Sequence, residues 1–175
     1  MPPSIAILDA AYTQTAAGVG CVLAAGWEAA SPEAEVARHI PGAPAQYEPG
    51  AFYKRELPLL LTVIQALPDK PEAYVIDGYV WLGEGKRGLG AHLFERLGAS
   101  APVIGVAKSA FQGDTWPVSV LRGRSKRPLF VTAAGMEAAQ AAVLVAGMHG
   151  ADRIPTLLRR ADRLARDAAG GAQTG

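Results

Sequence analysis

The segment SIAILD, residues 4–9, places four apolar side chains directly before a carboxylate. Such a run predicts a buried strand that ends in Asp9. The segment AYVID, residues 73–77, repeats the pattern and predicts a second buried strand that ends in Asp77. Ligands of open α/β sheets bind outside the carboxyl ends of the strands, so the two carboxylates would lie side by side there if the strands are neighbours.

The segments around these two strands predict an α/β fold in a single domain. Strands cluster first and then alternate with helices, which is typical of a mixed central β-sheet flanked by helices. The segment GEGKRGLG, residues 83–90, predicts a glycine-rich loop, and residues 33–40 fit either a strand or a short helix. We expect the domain to span residues 1–168 and a disordered tail to span residues 169–175. Further strands are predicted at residues 18–24, 102–108, 116–123 and 127–134, and helices at residues 51–67, 91–98, 136–148 and 155–168.

The charges are divided unevenly along the chain. Residues 1–99 carry 7 basic and 11 acidic side chains, a net charge of −4, whereas residues 100–175 carry 10 and 5, a net charge of +5. An acidic half facing a basic half is compatible with a metal site beside a phosphate-binding surface. The alternative is chance clustering of charges on solvated helices.

Three function classes are disfavoured by composition. No apolar run reaches the roughly 18–20 residues that would span a bilayer, and the N-terminal segment MPPSIAILDA has no basic leader or cleavage site of a signal peptide. Cys21 is the lone cysteine, which excludes an internal disulfide and a cysteine-based zinc cluster. We therefore expect a cytoplasmic protein that acts away from membranes.

Glu56 and Lys108 are further candidates for a site at the two strand-end aspartates. Two acids close together in a cleft repel each other unless a cation neutralises them, and carboxylate oxygens suit Mg²⁺ or Mn²⁺. Glu56 lies between the apolar positions Phe52 and Leu57, so periodicity leaves open whether its side chain faces the sheet. Lys108 ends the strand PVIGVAK and could hold a phosphate oxygen. The alternatives are aspartates that cap turns and a solvated lysine.

A metal held by two or three carboxylates is a design used for phosphodiester hydrolysis. The basic turn GRSKR, residues 123–127, would then bind a nucleic-acid backbone, together with C-terminal arginines. The residues themselves thus favour a metal-dependent phosphodiesterase that acts on a polyanion. The C-terminal arginines are Arg153, Arg159, Arg160, Arg163 and Arg166.

Five blocks of the sequence together resemble the endonuclease V family of deoxyinosine 3′ endonucleases. The resemblance runs from Asp9 to about Asp162, with the blocks in family order. It implies an RNase H-like fold and Mg²⁺-dependent cleavage of the second phosphodiester bond on the 3′ side of a deaminated purine. It implies inosine-containing DNA as the substrate, with RNA as the alternative, and we expect a monomer. The blocks are YEPGAFYKRELP, YVIDGYVWLGEGKRGLGAHL, PVIGVAKSAF, RPLFVTAAGM and RIPTLLRRAD.

The resemblance also implies roles for individual residues. The family's metal-binding carboxylates fall on Asp9, Glu56 and Asp77, its catalytic lysine on Lys108, and a further catalytic position on Asp162. The strand-separating wedge falls on Tyr47, Glu48, Pro49 and Gly50. Glycines that let backbone groups approach a flipped base fall on Gly50, Gly78, Gly88 and Gly105, and His92 matches a family histidine, for which helix packing is the alternative.

Two positions near the wedge depart from the family pattern. Gln46 replaces a proline that often precedes the wedge tyrosine, and Glu48 brings a negative charge next to nucleic acid. The chain also starts almost at its first strand, whereas many family members carry an extra N-terminal helical segment. Glu48 could weaken duplex binding or shift the preference toward single strands or RNA. Two other functions also stay open, namely an RNase H-like nuclease with another target and a non-catalytic nucleic-acid binder.

Overall fold

The computed structural model describes residues 3–44, 46, 48, 51–111 and 117–171. Its strands are β1 (Ile5–Tyr12), β2 (Ala16–Ala24), β3 (Ala34–Pro41), β4 (Ala73–Asp77), β5 (Trp81–Gly83), β6 (Lys86–Arg87), β7 (Val103–Ala107), β8 (Val118–Val120) and β9 (Leu129–Ala134). Its helices are α1 (Phe52–Ile64), α2 (Leu89–Arg96), α3 (Ala138–Ala146) and α4 (Thr156–Ala169).

Seven strands of the described chain form one mixed sheet in the order β3-β2-β1-β4-β7-β9-β8. The pairs β1–β4 and β4–β7 are parallel, and the other neighbouring pairs are antiparallel. The α/β fold with a mixed central sheet and flanking helices is confirmed. The two aspartate-bearing strands β1 and β4 are neighbours, as the proximity of their carboxylates requires.

The strand that contains Asp9 is longer than predicted. We expected it to end at Asp9, but β1 continues to Tyr12 because its antiparallel ladder with β2 continues to the Tyr12–Ala17 pair. The parallel ladder with β4 ends earlier, at the Leu8–Ile76 pair. Asp9 therefore lies where β1 and β4 diverge, so its side chain is still at the carboxyl end of a parallel pair.

The alternation of side chains along the strands builds a core on each face of the sheet. Ile5 and Ile7 of β1 belong to the cluster that packs under α3 and α4. Ala6 and Leu8 belong to the cluster that packs under α1 and α2. Asp9 continues the series of Ile5 and Ile7, which points it toward the α4 side of the sheet.

Several other elements differ from the sequence-based expectations in their type or bounds. Residues 34–41 form a strand, because they pair with β2 along their whole length. The glycine-rich segment at residues 83–90 is not wholly a loop, since β5 and β6 form a short hairpin and α2 begins at Leu89. Helix α1 ends at Ile64 and contains Pro58. No helix of the described residues is long and apolar enough to cross a membrane.

Candidate active site

Three neighbouring strands deliver the polar residues that the sequence singled out. Asp9 follows the last β1–β4 pair, and Asp77 is the last residue of β4, where it pairs with Val106 of β7. Lys108 directly follows β7. Parallel strands β1, β4 and β7 thus bring two carboxylates and an ammonium group to one edge of the sheet.

Glu56 joins this edge from helix α1. Glu56 is only 7% exposed, although Lys54 and Arg55 directly before it are charged. Burial and the carboxylates of Asp9 and Asp77 raise the pKa of Glu56 to about 8. The helix therefore points Glu56 inward at the two strand-end aspartates, which answers the question that periodicity left open.

Asp9 is the second perturbed acid of the cluster. Burial and the nearby carboxylate of Asp77 raise the pKa of Asp9 to about 7, while Lys108 and the backbone N–H of Ala10 act in the opposite direction. That N–H donates a hydrogen bond of 2.8 Å to Asp9 Oδ1. Near neutral pH, Glu56 is thus mostly protonated and Asp9 partly protonated unless a cation compensates their charge.

Asp77 and Lys108 form the ion pair of the cluster. Lys108 Nζ lies 3.3 Å from Asp77 Oδ2 and donates a hydrogen bond to it. Both side chains are between a third and two fifths exposed, so the pair faces solvent at the sheet edge. A substrate that approaches this edge would meet the ammonium group and the carboxylate together.

Asp162 lies on α4 and is a further acid of the group. It raises the pKa of Asp9 slightly, as the last of the contributing charges, so the two carboxylates are near each other. Asp162 is also paired with Arg166 one turn along the helix, at 3.0 Å. Helix α4 thus places a fifth polar side chain beside the edge formed by β1, β4 and β7.

The donor set of this cluster fits a hard divalent cation. Among the described residues, no three His, Cys, Asp or Glu side chains converge as a ready-made metal cluster. Asp9, Glu56 and Asp77 nevertheless offer only carboxylate oxygens, and the charge of Asp77 disfavours ionisation of the other two. A bound cation would remove that repulsion, so the chemistry of the residues fits Mg²⁺ or Mn²⁺.

Tyr12 and Arg55 lie beside Glu56, although no sequence pattern indicated that either belongs to the site. The guanidinium carbon of Arg55 lies 3.5 Å from the centre of the Tyr12 ring. Burial and the Glu56 carboxylate raise the pKa of Tyr12. The Tyr12 hydroxyl and Arg55 Nε are buried without a hydrogen-bond partner in the described chain. Only the extension of β1 past Asp9 brings Tyr12 here, so no local pattern could have found it.

A cavity of about 300 Å³ opens next to the polar edge. Its walls come from four places: the start of α1, the segment after β4, the segment after β7, and β5 with the start of α2. The Tyr79 hydroxyl ties two of these walls together, because it donates to the Ser109 carbonyl at 2.8 Å and accepts from the Phe111 N–H at 3.1 Å. The volume falls in the range of small-ligand sites. The lining residues include Phe52, Tyr53, Gly78, Leu82, Gly88 and Phe111.

The glycines that we associated with base recognition have different surroundings. Gly78 lines the cavity at φ +125°, and a Cβ there would meet no atom within 4 Å. A Cβ at Gly105 would lie 2.5 Å from the Gly78 carbonyl oxygen, and one at Gly88 would lie 2.6 Å from that of Tyr79. Gly78 is thus open to a ligand, whereas Gly88 and Gly105 make room for the chain itself.

Of the remaining residues predicted to bind substrate, the structure describes His92 but not three of the wedge residues. Tyr47, Pro49 and Gly50 lie outside the described residues. His92 stacks on Tyr53 with ring centres 3.5 Å apart and planes 18° apart. Since Tyr53 lines the cavity, His92 supports its wall from behind. This contact corresponds to the packing role that the sequence left open for His92.

Most of the C-terminal arginines have partners within the protein. Arg160 pairs with Glu35 of the edge strand β3, and Arg159 pairs with Asp152. Arg153 donates hydrogen bonds to three backbone carbonyls, so it is not an open phosphate contact. The basic turn before β9 also carries exposed charges and lies beside the polar edge, because β9 pairs with β7. They are Arg124, Lys126 and Arg127.

Comparisons with known proteins identify relatives of this chain. The sequence profile of the Endonuclease V family matches residues 2–163. Endonuclease V of Streptomyces coelicolor is 33% identical over 144 residues, which cover 70% of this chain and 60% of that protein. The crystal structure of endonuclease V from Streptomyces avermitilis has a TM-score of 0.75 at 27% identity, with 98% of this chain and 85% of that one covered.

A structure with bound DNA has the same fold. It is endonuclease V of Ciona intestinalis in complex with a 24mer DNA that contains an inosine followed by a ribo-adenosine. Its TM-score is 0.80 at 17% identity, with 98% of this chain and 87% of that one covered.

The mixed sheet and its acidic edge define an α/β protein with an RNase H-like fold. Within that class, the chain belongs to the endonuclease V family. It spans about 60% of the length of the Streptomyces coelicolor relative.

Proposed function

We propose that this protein is a metal-dependent endonuclease that cleaves nucleic acid beside a deaminated purine. The observation that carries the proposal is the placement of Asp9, Glu56, Asp77 and Lys108 at one sheet edge, where they influence one another electrostatically, next to a cavity. Membership of the endonuclease V family supports the same chemistry. The cleaved bond is the second phosphodiester on the 3′ side of inosine, and the activity would serve the repair of deaminated DNA.

The acidic cluster explains how the chain would attack a phosphodiester. Asp9, Glu56 and Asp77 would hold Mg²⁺, or Mn²⁺ in its place. When bound, the cation supplies Lewis-acid stabilisation of phosphate charge and a water that is more readily deprotonated. The Lys108 ammonium group stabilises the negative charge that develops on the phosphate or the leaving oxygen. Asp162 supports the cluster from α4.

The cavity beside Asp77 suits a base that has left the stack. A base cannot be inspected inside a duplex, and turning it out costs a few kcal/mol. Hypoxanthine presents a carbonyl and a ring N–H that backbone groups can read, and Gly78 offers its backbone to open space. The wedge at Tyr47, Pro49 and Gly50 would fill the space that the base leaves in the nucleic-acid duplex and so offset the cost of turning the base out.

The basic turn continues the binding surface past Lys108. Phe130 of β9 pairs with Ala107 of β7, so the turn that precedes β9 lies next to the residue that follows β7. Arg124 and Lys126 are exposed on that turn. A backbone whose phosphate contacts Lys108 would therefore pass over these cations, which bind phosphates in any sequence.

The test is cleavage of inosine-containing strands in Mg²⁺, with the inosine in deoxyribose and in ribose backgrounds. Asp77→Asn is expected to lower the cleavage rate by about 100-fold or more, because it removes an anionic oxygen from the metal ligands. Asp69→Asn, at an exposed acid away from the site, is the control and keeps the wild-type rate. Product ends report which bond is cut.

Three outcomes would contradict the proposal. Cleavage that Asp77→Asn leaves unchanged would exclude the acidic cluster as the active site. Cleavage of junctions or abasic sites without cleavage of inosine strands would indicate another target. Binding that EDTA does not affect, without turnover in Mg²⁺ or Mn²⁺, would indicate a non-catalytic nucleic-acid binder.

A further inference from the structure

We propose that Arg153 is a positioning residue for Lys108. Its guanidinium group fixes the backbone of Lys108 against the basic turn, so that the ammonium group is held beside Asp77. The inference rests on the proposed function, in which Lys108 acts at the cleaved phosphodiester.

The Arg153 guanidinium group joins the ends of two strands. Its Nη2 donates hydrogen bonds to the carbonyl oxygen of Lys108, directly after β7, and to that of Pro128, directly before β9, the latter at 2.9 Å. Its Nε donates to the carbonyl oxygen of Arg127 at 3.0 Å. Hydrogen bonds from a charged donor are about twice as strong as neutral ones. One half-buried side chain therefore holds both Lys108 and the basic turn.

Lys108 needs such a contact because it lies outside the sheet. The β7–β9 ladder ends at the Ala107–Phe130 pair, so no strand among the described residues pairs with the next residue. The carbonyl of Lys108 is held by Arg153, and that of Ser109 is held by the Tyr79 hydroxyl at 2.8 Å. Hydrogen bonds from the Arg153 and Tyr79 side chains thus take the place of strand pairing for Lys108 and Ser109, which follow β7.

Arg153 is itself held in place by a buried arginine. Arg122 is 6% exposed and donates hydrogen bonds to four carbonyl oxygens of the loop before α4. They belong to Met148 at 2.6 Å, Gly150 at 3.1 Å, Asp152 at 2.9 Å and Arg153 at 3.3 Å. Arg122, which follows β8, therefore holds the loop that carries Arg153. Arg153 in turn holds the backbone of Lys108 through its hydrogen bond to the Lys108 carbonyl oxygen.

A direct contact between Arg153 and a phosphate is the competing role. A bidentate contact needs two adjacent N–H groups of the guanidinium fork, and Nε and Nη2 of Arg153 already donate to carbonyls. The two roles predict different measurements. Loss of a phosphate contact weakens binding, whereas loss of positioning lowers the cleavage rate of bound substrate.

The first test is single-turnover cleavage of an inosine strand at saturating protein. Arg153→Ala is expected to lower the rate by about 10-fold or more, since small misplacements of a catalytic group have large effects. The dissociation constant is expected to rise by a smaller factor than the rate falls, because Arg153 also donates to the carbonyl oxygens of Arg127 and Pro128 at the basic turn. Arg38→Ala is the matched control, because Arg38 donates a hydrogen bond of 2.9 Å to a backbone carbonyl of edge strand β3. A rate loss explained by weaker binding would overturn the proposal.

A double-mutant cycle separates positioning from general damage to the fold. In a Lys108→Ala background, Arg153→Ala is expected to cause no further loss of rate, because both changes act on the same ammonium group. A loss of the same size in that background would overturn the proposal.

A second readout does not depend on cleavage. Lysines are methylated with ¹³C by reductive alkylation, and the Lys108 signal is identified by its absence in Lys108→Ala. Arg153→Ala is expected to shift or broaden the Lys108 signal, and Arg38→Ala to leave it in place. An unmoved signal in Arg153→Ala would overturn the proposal. If the wild-type protein cleaved no inosine strand, the proposed function would fail while this measurement still decided the positioning role.

Discussion

Glu56 keeps its proton well above the ordinary pKa of a glutamate because it is buried beside Asp9 and Asp77. Burial and the neighbouring carboxylate of Asp77 likewise raise the pKa of Asp9. In both acids the folded protein binds the proton more tightly than the unfolded chain does. Stability without a metal must therefore depend on pH.

The sign of that dependence follows from the two raised pKa values. Between the ordinary values near 4 and the folded values of about 7 and 8, the folded state holds protons that the unfolded chain has lost. The free energy of unfolding in EDTA is thus expected to fall by several kcal/mol from pH 5 to pH 8.5. Thermal unfolding should show a decrease in Tm of about 5–15 °C.

The matched variants are Glu56→Gln and Glu72→Gln. Glu56→Gln removes one of the titrating groups and should flatten the dependence, with a higher Tm than wild type at pH 8.5. Glu72→Gln, at an exposed glutamate, should retain the wild-type slope. An equally steep decrease in Glu56→Gln would show that other groups cause it.

Sequence patterns predicted some residues of the site and missed others. Asp9 and Asp77 followed from two apolar runs that end in acids, because neighbouring parallel strands bring their carboxyl ends together. The inward orientation of Glu56 did not follow, since Arg55 and Glu56 are both polar and only the packing of α1 distinguishes them. The contact from Arg153 to Lys108 joins residues 45 positions apart and has no local signal.

Helix α4 lies close to strand β2, and two glycines of that strand permit the approach. A Cβ at Gly18 would overlap the backbone of Ala165 and Ala169. A Cβ at Gly20 would lie 3.0 Å from the backbone nitrogen of Ala165. The segment GVGCVLA was predicted as a strand from its apolar pattern, but the pattern did not reveal that its glycines receive a helix. The same helix carries Asp162 to the site.

Gly18→Ala is accordingly expected to destabilise the protein. The overlapping atoms are backbone, which cannot rotate away, so α4 must shift at a cost of about 3 kcal/mol. The Tm should fall by about 6–12 °C. Gly147→Ala is the control, because its nearest neighbour would lie 3.6 Å away and its φ is −84°. It should leave the Tm unchanged or slightly raised. Equal Tm values for Gly18→Ala and wild type would contradict the close packing.

In the folded chain, the acidic and basic halves of the sequence contribute different parts of the candidate site. The acidic cluster draws Asp9, Glu56 and Asp77 from the acidic half, whereas Lys108 and the basic turn belong to the basic half. The sequence alone could not separate this arrangement from chance clustering, because several basic residues of the second half pair with acids. Arg160 pairs with Glu35 and Arg166 with Asp162, which leaves the basic turn among the exposed cations.

Binding of nucleic acid should therefore depend on salt through the basic turn. Each phosphate contact contributes a slope of about −0.9 on duplex DNA, or about −0.7 on single strands, to the plot of log K against log salt. Neutralising Arg124 and Lys126 together should make the slope shallower by about 1.5, measured by fluorescence anisotropy in EDTA so that no cleavage occurs. Replacing Lys70 and Arg96, two exposed cations outside the turn, provides the control with an equal change in net charge. An equal change of slope in both double variants would indicate that the overall charge, and not the turn beside Lys108, governs binding.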